Sequence, residues 1–182
     1  MLFVSLYYLV KNRQERFTNY NLINNGSFID GVNIGDNTDN DRFSVVSLEN
    51  PGGSDYVLKQ TKSAQSIMTG YNIHSNVETS QKYLLSFWKA VTSDFDGKND
   101  NDVSILSIGN TLSVKKAIYQ TKKIGNLQWE QHIYIITTEA YNSIDITFGV
   151  NSPFTKGSRL YSDIILRKFI DKLQDFTNFD GL

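Results

Sequence analysis

Cysteine is absent from this chain of 182 residues, and histidine occurs only twice. Without thiols there can be no disulfide scaffold, thiolate zinc site or cysteine nucleophile. His74 and His132 are the only imidazoles, and no Gly-x-Ser-x-Gly elbow is present, so the sequence offers no Ser-His-Asp triad. We interpret His132, in a predicted strand beside Trp129, as a hydrogen-bonded structural histidine. These absences predict a protein that is not an enzyme.

A strong excess of charge of either sign is also lacking. The formal net charge is −1 and the isoelectric point is near 6.1. This balance provides no basic field for phosphate backbones, so we expect no nucleic-acid partner. Hydrophobic residues make up 40% of the chain and aromatic residues 13%, which is enough to bury the core of one compact domain.

Hard oxygen ligands collect in two acidic loops, residues 36–41 and 94–102. Such ligands suit calcium, but the second loop departs from the EF-hand pattern, because Gly97 falls at its fourth position and no Glu closes it. We therefore interpret both loops as solvated acidic turns and expect no metal or other cofactor. A structural calcium ion is the alternative.

Residues 1–16 have an uncharged apolar run followed by a basic flank. A ten-residue helix would rise only about 15 Å, half the hydrocarbon core of a membrane, so it would not span. We predict a membrane or assembly arm whose basic flank keeps the folded body on the cytosolic side. Packing of the arm on another protein is the alternative. The apolar residues are Leu2, Phe3, Val4, Leu6, Leu9 and Val10, and the basic residues are Lys11, Arg13 and Arg16.

The remainder of the chain has short apolar blocks bounded by Gly, Asn and Asp, which is typical of strands. Nine strands and no sustained helical period predict an all-β fold, an antiparallel β-sandwich over residues 17–169. A short helix is predicted in the tail, residues 170–182. The strands are predicted at 43–48, 56–60, 67–73, 82–91, 103–108, 114–120, 129–137, 143–150 and 162–169.

Asn21-Leu22-Ile23-Asn24-Asn25-Gly26-Ser27-Phe28-Ile29-Asp30-Gly31 combines an apolar entry, a turn and an aromatic anchor. Asn25-Gly26 is predicted to take positive φ. This run resembles the N-terminal signature of galactose-binding-like jelly-roll carbohydrate-binding modules. Later parts of the chain resemble the same modules in the same order: Tyr83-Leu84-Leu85-Ser86-Phe87-Trp88, Trp129, residues 144–149 and residues 161–166. The resemblance covers about residues 20–168 and implies the jelly-roll fold and a glycan ligand. Ile29 and Ser162 stand where that family often has acidic calcium ligands, so its calcium site is in doubt here.

A glycan site would need exposed aromatic platforms beside hydrogen-bonding side chains. Trp88 and Trp129 are predicted to fill the core together with Phe28, Phe87 and Phe148. The candidate ligand-binding residues are therefore those near predicted strand ends or loops: Tyr71, Tyr141, Phe154, Tyr161 and Arg159.

Two functions from different classes remain. The arm and the Asn-rich sandwich resemble small membrane-associated virion proteins, such as minor capsid proteins, of large DNA viruses. That resemblance implies a structural protein on a virion or membrane, with other structural proteins or lipid as partners. The alternative is an extracellular carbohydrate-binding module that recognises a polysaccharide. The sequence favours the first by a small margin.

Overall fold

A computed structural model describes residues 21–24, 26–29, 41–63, 70–98, 102–107, 110–150 and 153–169. Within these ranges the regular structure is entirely β. The ten strands are β1 Phe43–Ser47, β2 Tyr56–Gln60, β3 Tyr71–Asn76, β4 Lys82–Val91, β5 Val103–Ser107, β6 Asn110–Thr111, β7 Ser113–Ile124, β8 Leu127–Thr137, β9 Ser143–Phe148 and β10 Arg159–Lys168.

The strands form two antiparallel sheets. The larger sheet has the order β1-β2-β10-β4-β8-β7, and the smaller sheet has the order β3-β9-β5-β6. A main core lies between them, in which Leu85 and Phe87 of the larger sheet meet Ile146 and Phe148 of the smaller one. The predicted all-β sandwich with a jelly-roll fold is confirmed.

Most predicted strands are confirmed to within a few residues. β2 and β4 have the predicted bounds, and the other long strands differ mainly at their ends. The third strand is shifted, since β3 begins at Tyr71 rather than at residue 67, and β6 was not predicted. The predicted arm of residues 1–16 and the predicted helix of the tail, 170–182, lie outside the described residues. None of the described residues belongs to a helix that could cross a membrane.

The N-terminal signature is pinned to an irregular point in β10. The register of β10 against β4 shifts between Ser162 and Ile165, and Asp163 there has a φ of 46°. Asn21 spans the shift, since its amide donates to the Ile164 carbonyl at 3.0 Å and its oxygen accepts from the Leu166 N–H at 2.9 Å. The signature therefore closes this end of the core by satisfying backbone groups that the bulge leaves unpaired.

The turn prediction at Asn25-Gly26 needs correction. Asn25 lies outside the described residues, and Gly26 is not at positive φ; Phe28 is, with a φ of 60°. Gly26 is needed for space instead, because a Cβ there would lie 2.0 Å from the Ile164 carbonyl oxygen. The strained backbone at Phe28 aims its ring into the core, where it meets Tyr71 edge-on at 6.0 Å.

Candidate ligand-binding face

The aromatic platforms predicted from the sequence are buried. Tyr71 and Tyr161 belong to the main core, and Phe154 packs beneath the loop at residues 92–98. The prediction that these rings are exposed is wrong, because two of them pack in the main core and Phe154 packs against Phe95 and Arg159. Tyr141 is half-buried against the main core and keeps a partly accessible edge.

Arg159 is likewise internal. Its guanidinium donates to Gln60 Oε1 at 3.1 Å and to the Lys98 carbonyl at 3.0 Å. It also stacks over Phe95 and Phe154, at 4.9 and 5.0 Å from the ring centroids. Arg159 therefore holds the loops at this end of the sandwich together and is not available at the surface, contrary to its predicted role.

A buried polar network surrounds Asp102 at the same end of the sandwich. Lys89 Nζ donates to its carboxylate at 2.5 Å, and the Tyr161 hydroxyl donates to it as well. The Asp102 carbonyl accepts from the N–H groups of Gly149 and Val150, at 2.7 and 3.1 Å. The network ties β4, β10 and the loop after β9 to the start of β5, so it organises the fold.

Burial and charge act against each other in this network. Burial lowers the pKa of Lys89, and although burial alone would raise that of Asp102, the neighbouring Lys89 charge holds the pKa of Asp102 below its usual range. His132 stacks on Phe87 at 5.4 Å and lies 3.2 Å from Glu130 through its Nε2. Burial and the charge of Lys89 lower its pKa to about 4, so it is neutral at pH 7. His132 is thus buried and hydrogen-bonded through Nε2, as predicted, while its Nδ1 has no partner among the described residues.

The acidic loops separate into different roles. Asp96 is solvated, as predicted, and accepts from the Thr155 hydroxyl and from the N–H groups of Thr155 and Lys156, which lower its pKa to about 2. Asp102 is buried, so the prediction of a solvated turn is wrong there. Residues 36–40 and 99–101 lie outside the described ranges. Across the described parts of the chain, no group of three His, Asp or Glu side chains is placed to hold a metal.

A second hydrophobic cluster lies on the opposite side of the larger sheet. Alternation along β4 sends Phe87 into the main core and Trp88 away from it. Trp129 of β8 points the same way, and both indoles are buried. We call this side of the six-stranded sheet the outer face. Its cluster comprises Val57, Trp88, Ala90, Trp129 and Leu160, with Val46, Leu48, Ile124 and Leu127 packed around them.

Two segments border the outer face. On one side the β1–β2 loop folds over the sheet, where Asn50 accepts from the Ser162 hydroxyl at 2.9 Å and Leu48 packs on the cluster. On the other side the two-residue turn between β7 and β8 brings Ile124 and Leu127 against it. The outer face thus has an apolar floor between two walls, and the five cluster residues of that floor are only 0–6% exposed.

Polar side chains are aligned across the floor. The register places Ser162, Trp88, Gln131 and Gln120 in one row across β10, β4, β8 and β7. Gln120 Nε2 donates to Gln131 Oε1 at 2.8 Å, and both amides reach solvent. Planar amides that reach solvent can both donate to and accept from hydroxyl groups.

Two N–H donors on this face lack acceptors. Trp129 Nε1 and Arg167 Nε are buried and have no hydrogen-bond partner among the described groups. Burying such a donor without an acceptor costs about 1–3 kcal/mol.

The sequence contained part of this signal. Trp88 and Phe87 are adjacent in a strand and must point to opposite faces, so one of them had to leave the main core. We expected both to be buried together, which is correct for burial and wrong for location. The walls could not be foreseen, since they depend on how the β1–β2 loop crosses to β10.

No protein-family model and no curated protein sequence matches this chain. Among solved structures it is similar to a carbohydrate-binding module, CBM4, with 13% identity and a TM-score of 0.48 over 81% of this chain and 99% of that chain. It is also similar to a candidate sugar-binding protein from Bacteroides thetaiotaomicron VPI-5482, with 9% identity and a TM-score of 0.50 over 82% of this chain and all of that chain.

A third similar structure is the enzymatically active domain of tailspike protein 4 from bacteriophage CBA120. It shows 13% identity and a TM-score of 0.43, over 82% of this chain and 21% of that chain. At these identities the likenesses concern the fold alone, which is a β-sandwich.

Proposed function

We propose that this protein is a non-catalytic glycan-binding module that holds a polysaccharide against the outer face of its larger sheet. The observation that carries the proposal is the Gln131–Gln120 amide pair, which reaches solvent in register with Trp88 of the outer cluster. The amides of Gln120 and Gln131 reach solvent and can recognise hydroxyl groups, while Trp88 and Trp129, 6% and 0% exposed, form the buried base beneath them. The likeness to a candidate sugar-binding protein supports this choice over a virion assembly role, which stays a prediction.

Tryptophan fluorescence provides a direct test. The chain has only two tryptophans, Trp88 and Trp129, and both lie on the outer face. A polysaccharide that binds there should change the emission, whereas one that binds the smaller sheet should not. Titrations with a broad set of neutral and acidic polysaccharides, supported by affinity gel electrophoresis, would show whether any is retained and where.

Matched variants locate the site. Gln131→Ala removes the amide from the outer face and should weaken binding about two- to tenfold, as expected for one or two hydrogen bonds. Asn72→Ala removes an amide from the far side of the smaller sheet, where it accepts from Thr147 at 2.6 Å, and should leave binding unchanged. Failure of the folded protein to bind any polysaccharide would overturn the proposal, as would binding that Asn72→Ala weakens and Gln131→Ala does not.

A further inference from the structure

Basic residues are concentrated in the larger sheet. Its six strands contain ten Lys and Arg residues and only two carboxylates, Glu130 and Asp163. The whole chain, by contrast, has 18 basic and 19 acidic residues. The near-neutral net charge therefore conceals a strongly cationic sheet, and the acidic residues that balance it lie elsewhere in the chain.

Four of these cations border the outer face in two rows. In the first row Lys59 pairs with Leu160, and Leu160 pairs with Ala90. Lys89 of β4 pairs with Glu130 of β8, so the next residues along these antiparallel strands, Ala90 and Trp129, lie side by side. Trp129 in turn pairs with Lys122 of β7. Lys59 and Lys122 thus stand at the two ends of an apolar row.

The second row repeats the arrangement three pairs of residues along the sheet. Arg167 pairs with Leu84, Leu84 pairs with Ile135, and Ile135 pairs with Lys115. A cation again stands at each end and apolar side chains lie between them. Lys115 and Lys122 are exposed, while Lys59 and Arg167 are partly exposed.

No strand carboxylate neutralises these cations from the same face. Glu130 points to the other side of the sheet, where it meets His132. Asp163 sits at the β10 bulge, covered by Gly52 and by the Ser162 hydroxyl, and burial raises its pKa. The β1–β2 loop that borders this face has two exposed carboxylates, Glu49 and Asp55. Among the described residues, the positive charge of the outer face therefore comes from its strands, away from that loop.

We infer that the ligand of the outer face is an acidic polysaccharide, whose carboxylate or sulfate groups meet the bordering cations while its hydroxyl groups meet the Gln131–Gln120 amide pair. This inference rests on the glycan-binding function proposed above. Lys59 and Lys122 are separated by four inter-strand steps of about 4.8 Å, or roughly 19 Å. That distance exceeds the Debye length of about 8 Å at physiological salt, so the two ends attract anionic groups independently.

The spacing favours a polymer over a small anion. A single carboxylate or sulfate can reach one end of a row, whereas an extended chain with charges along its length reaches both. The Gln131–Gln120 pair, which reaches solvent, lies between the two rows. Separated cations and hydroxyl-recognising amides thus coincide on one face.

The chain offers a matched pair of variants. Lys122 and Lys123 are adjacent in β7 and both exposed, but Lys122 pairs with Trp129 on the outer face and Lys123 pairs with Gln128 on the other. Lys122→Gln and Lys123→Gln remove the same charge from the same strand. Affinity electrophoresis of the full chain in gels that contain alginate or polygalacturonate, against gels with uncharged glucans, would compare them.

We expect retention by the acidic polymers, with Lys122→Gln weakening it about two- to fivefold and Lys123→Gln leaving it unchanged. Lys59→Gln should have a similar effect, and the two losses should multiply. Raising NaCl from about 0.1 M to about 1 M should weaken retention strongly, because the Debye length falls from about 10 Å to about 3 Å.

Other results would overturn the acidic ligand or the proposed function, and they can be told apart. Retention by neutral glucans alone would overturn the acidic ligand and leave glycan binding standing. Equal losses for Lys122→Gln and Lys123→Gln, or equal retention by duplex DNA at the same salt, would show a diffuse charge effect and also overturn it. Retention by no polysaccharide at all would overturn the proposed function itself.

Discussion

Lys89 Nζ and Asp102 Oδ1 lie 2.5 Å apart inside the sandwich, with side chains that are 0% and 2% exposed. Lys168 and Glu78 form an ion pair of the same length at the surface, where their side chains are 28% and 68% exposed. Since the distances are equal, burial alone separates the two pairs. In the buried pair, removal of one partner leaves a charge that water cannot reach.

We therefore expect Asp102→Ala to lower the free energy of unfolding by about 3–5 kcal/mol, because the charges of Lys89 and Arg159 lose their counterion. Glu78→Ala is the surface control and should cost at most about 1 kcal/mol. Urea unfolding of both variants at pH 7 measures the difference. Equal costs for the two variants would show that the buried pair contributes no more than a surface contact.

A second prediction concerns acid stability and His132. Its folded pKa of about 4 lies below the unfolded value of 6.5, so the unfolded chain binds a proton first as pH falls. Stability should therefore decrease between about pH 6.5 and pH 4, by about 3 kcal/mol in total. Asp102 and Asp96 act at lower pH, since their folded pKa values lie below the usual range.

Urea unfolding at several pH values tests this, with His132→Gln as the comparison. The variant has no imidazole at this position and should lose the decrease between pH 6.5 and 4, although its stability at pH 7 will fall through loss of stacking on Phe87. A wild-type free energy of unfolding that stays constant over this window would contradict the assignment to His132.

A third prediction concerns Trp88 in the second cluster. Trp88→Ala should cost about 3–5 kcal/mol, as for other large buried truncations, although Trp88 lies outside the main core. Ile118→Ala is a suitable control, since Ile118 is 45% exposed on the edge strand and should change stability little. Thermal melts compare the two. An unchanged melt for Trp88→Ala would mean that the outer cluster contributes no packing energy.

Gly26 provides a fourth prediction. A Cβ at Gly26 would meet the backbone oxygen of Ile164 at 2.0 Å, whereas one at Gly53 meets nothing within 4 Å. Gly26→Ala should therefore push the N-terminal signature off the β10 bulge and cost about 1–3 kcal/mol, as overpacking does. Gly53 has a φ of 93°, so Gly53→Ala isolates backbone strain without a clash. Equal stabilities of Gly26→Ala and wild type would show that the close approach can relax.

Much of the fold could be predicted because strand periodicity is local. Tyr83, Leu85 and Phe87 alternate with outward residues, and this pattern fixed β4 at its observed bounds. The same alternation directs the side chain of Lys89 toward the interior. The sequence therefore also indicated a buried lysine, which needs an anionic partner. Its partner Asp102 belongs to an acidic loop with many carboxylates, and only the packing of β5 against β9 selects that one.

The candidate site was harder to predict because it depends on which side of a sheet is covered. We expected aromatic residues at strand ends to be platforms, but Tyr161 lies beyond reach of solvent and donates to Asp102. The cations that border the outer face could not be recognised from the net charge, because the net charge is a sum over the whole chain. Their positions on one face depend on how β2, β7 and β10 pair with their neighbours.

The last prediction concerns the arm of residues 1–16, which lies outside the described residues and rests on the sequence. Six large apolar side chains in one run would, if uncovered, expose more surface than a soluble monomer normally tolerates, so we propose that lipid or a neighbouring protein covers them. At about 25 cal/mol per Å2, several such side chains are enough to set partitioning between water and a membrane. The body would then be held at a membrane or particle surface.

Deletion of residues 1–16 tests this proposal, because the described sheets begin only at Phe43 and should fold without the arm. We expect the deletion to abolish flotation with liposomes and to leave the tryptophan emission and the thermal melt unchanged. Replacement of Lys11, Arg13 and Arg16 by Gln keeps the apolar run and should weaken only the attraction to anionic vesicles. A full-length chain that sediments as a monomer without lipid would refute the arm as an anchor, and a truncated chain that fails to fold would place the arm within the structural core.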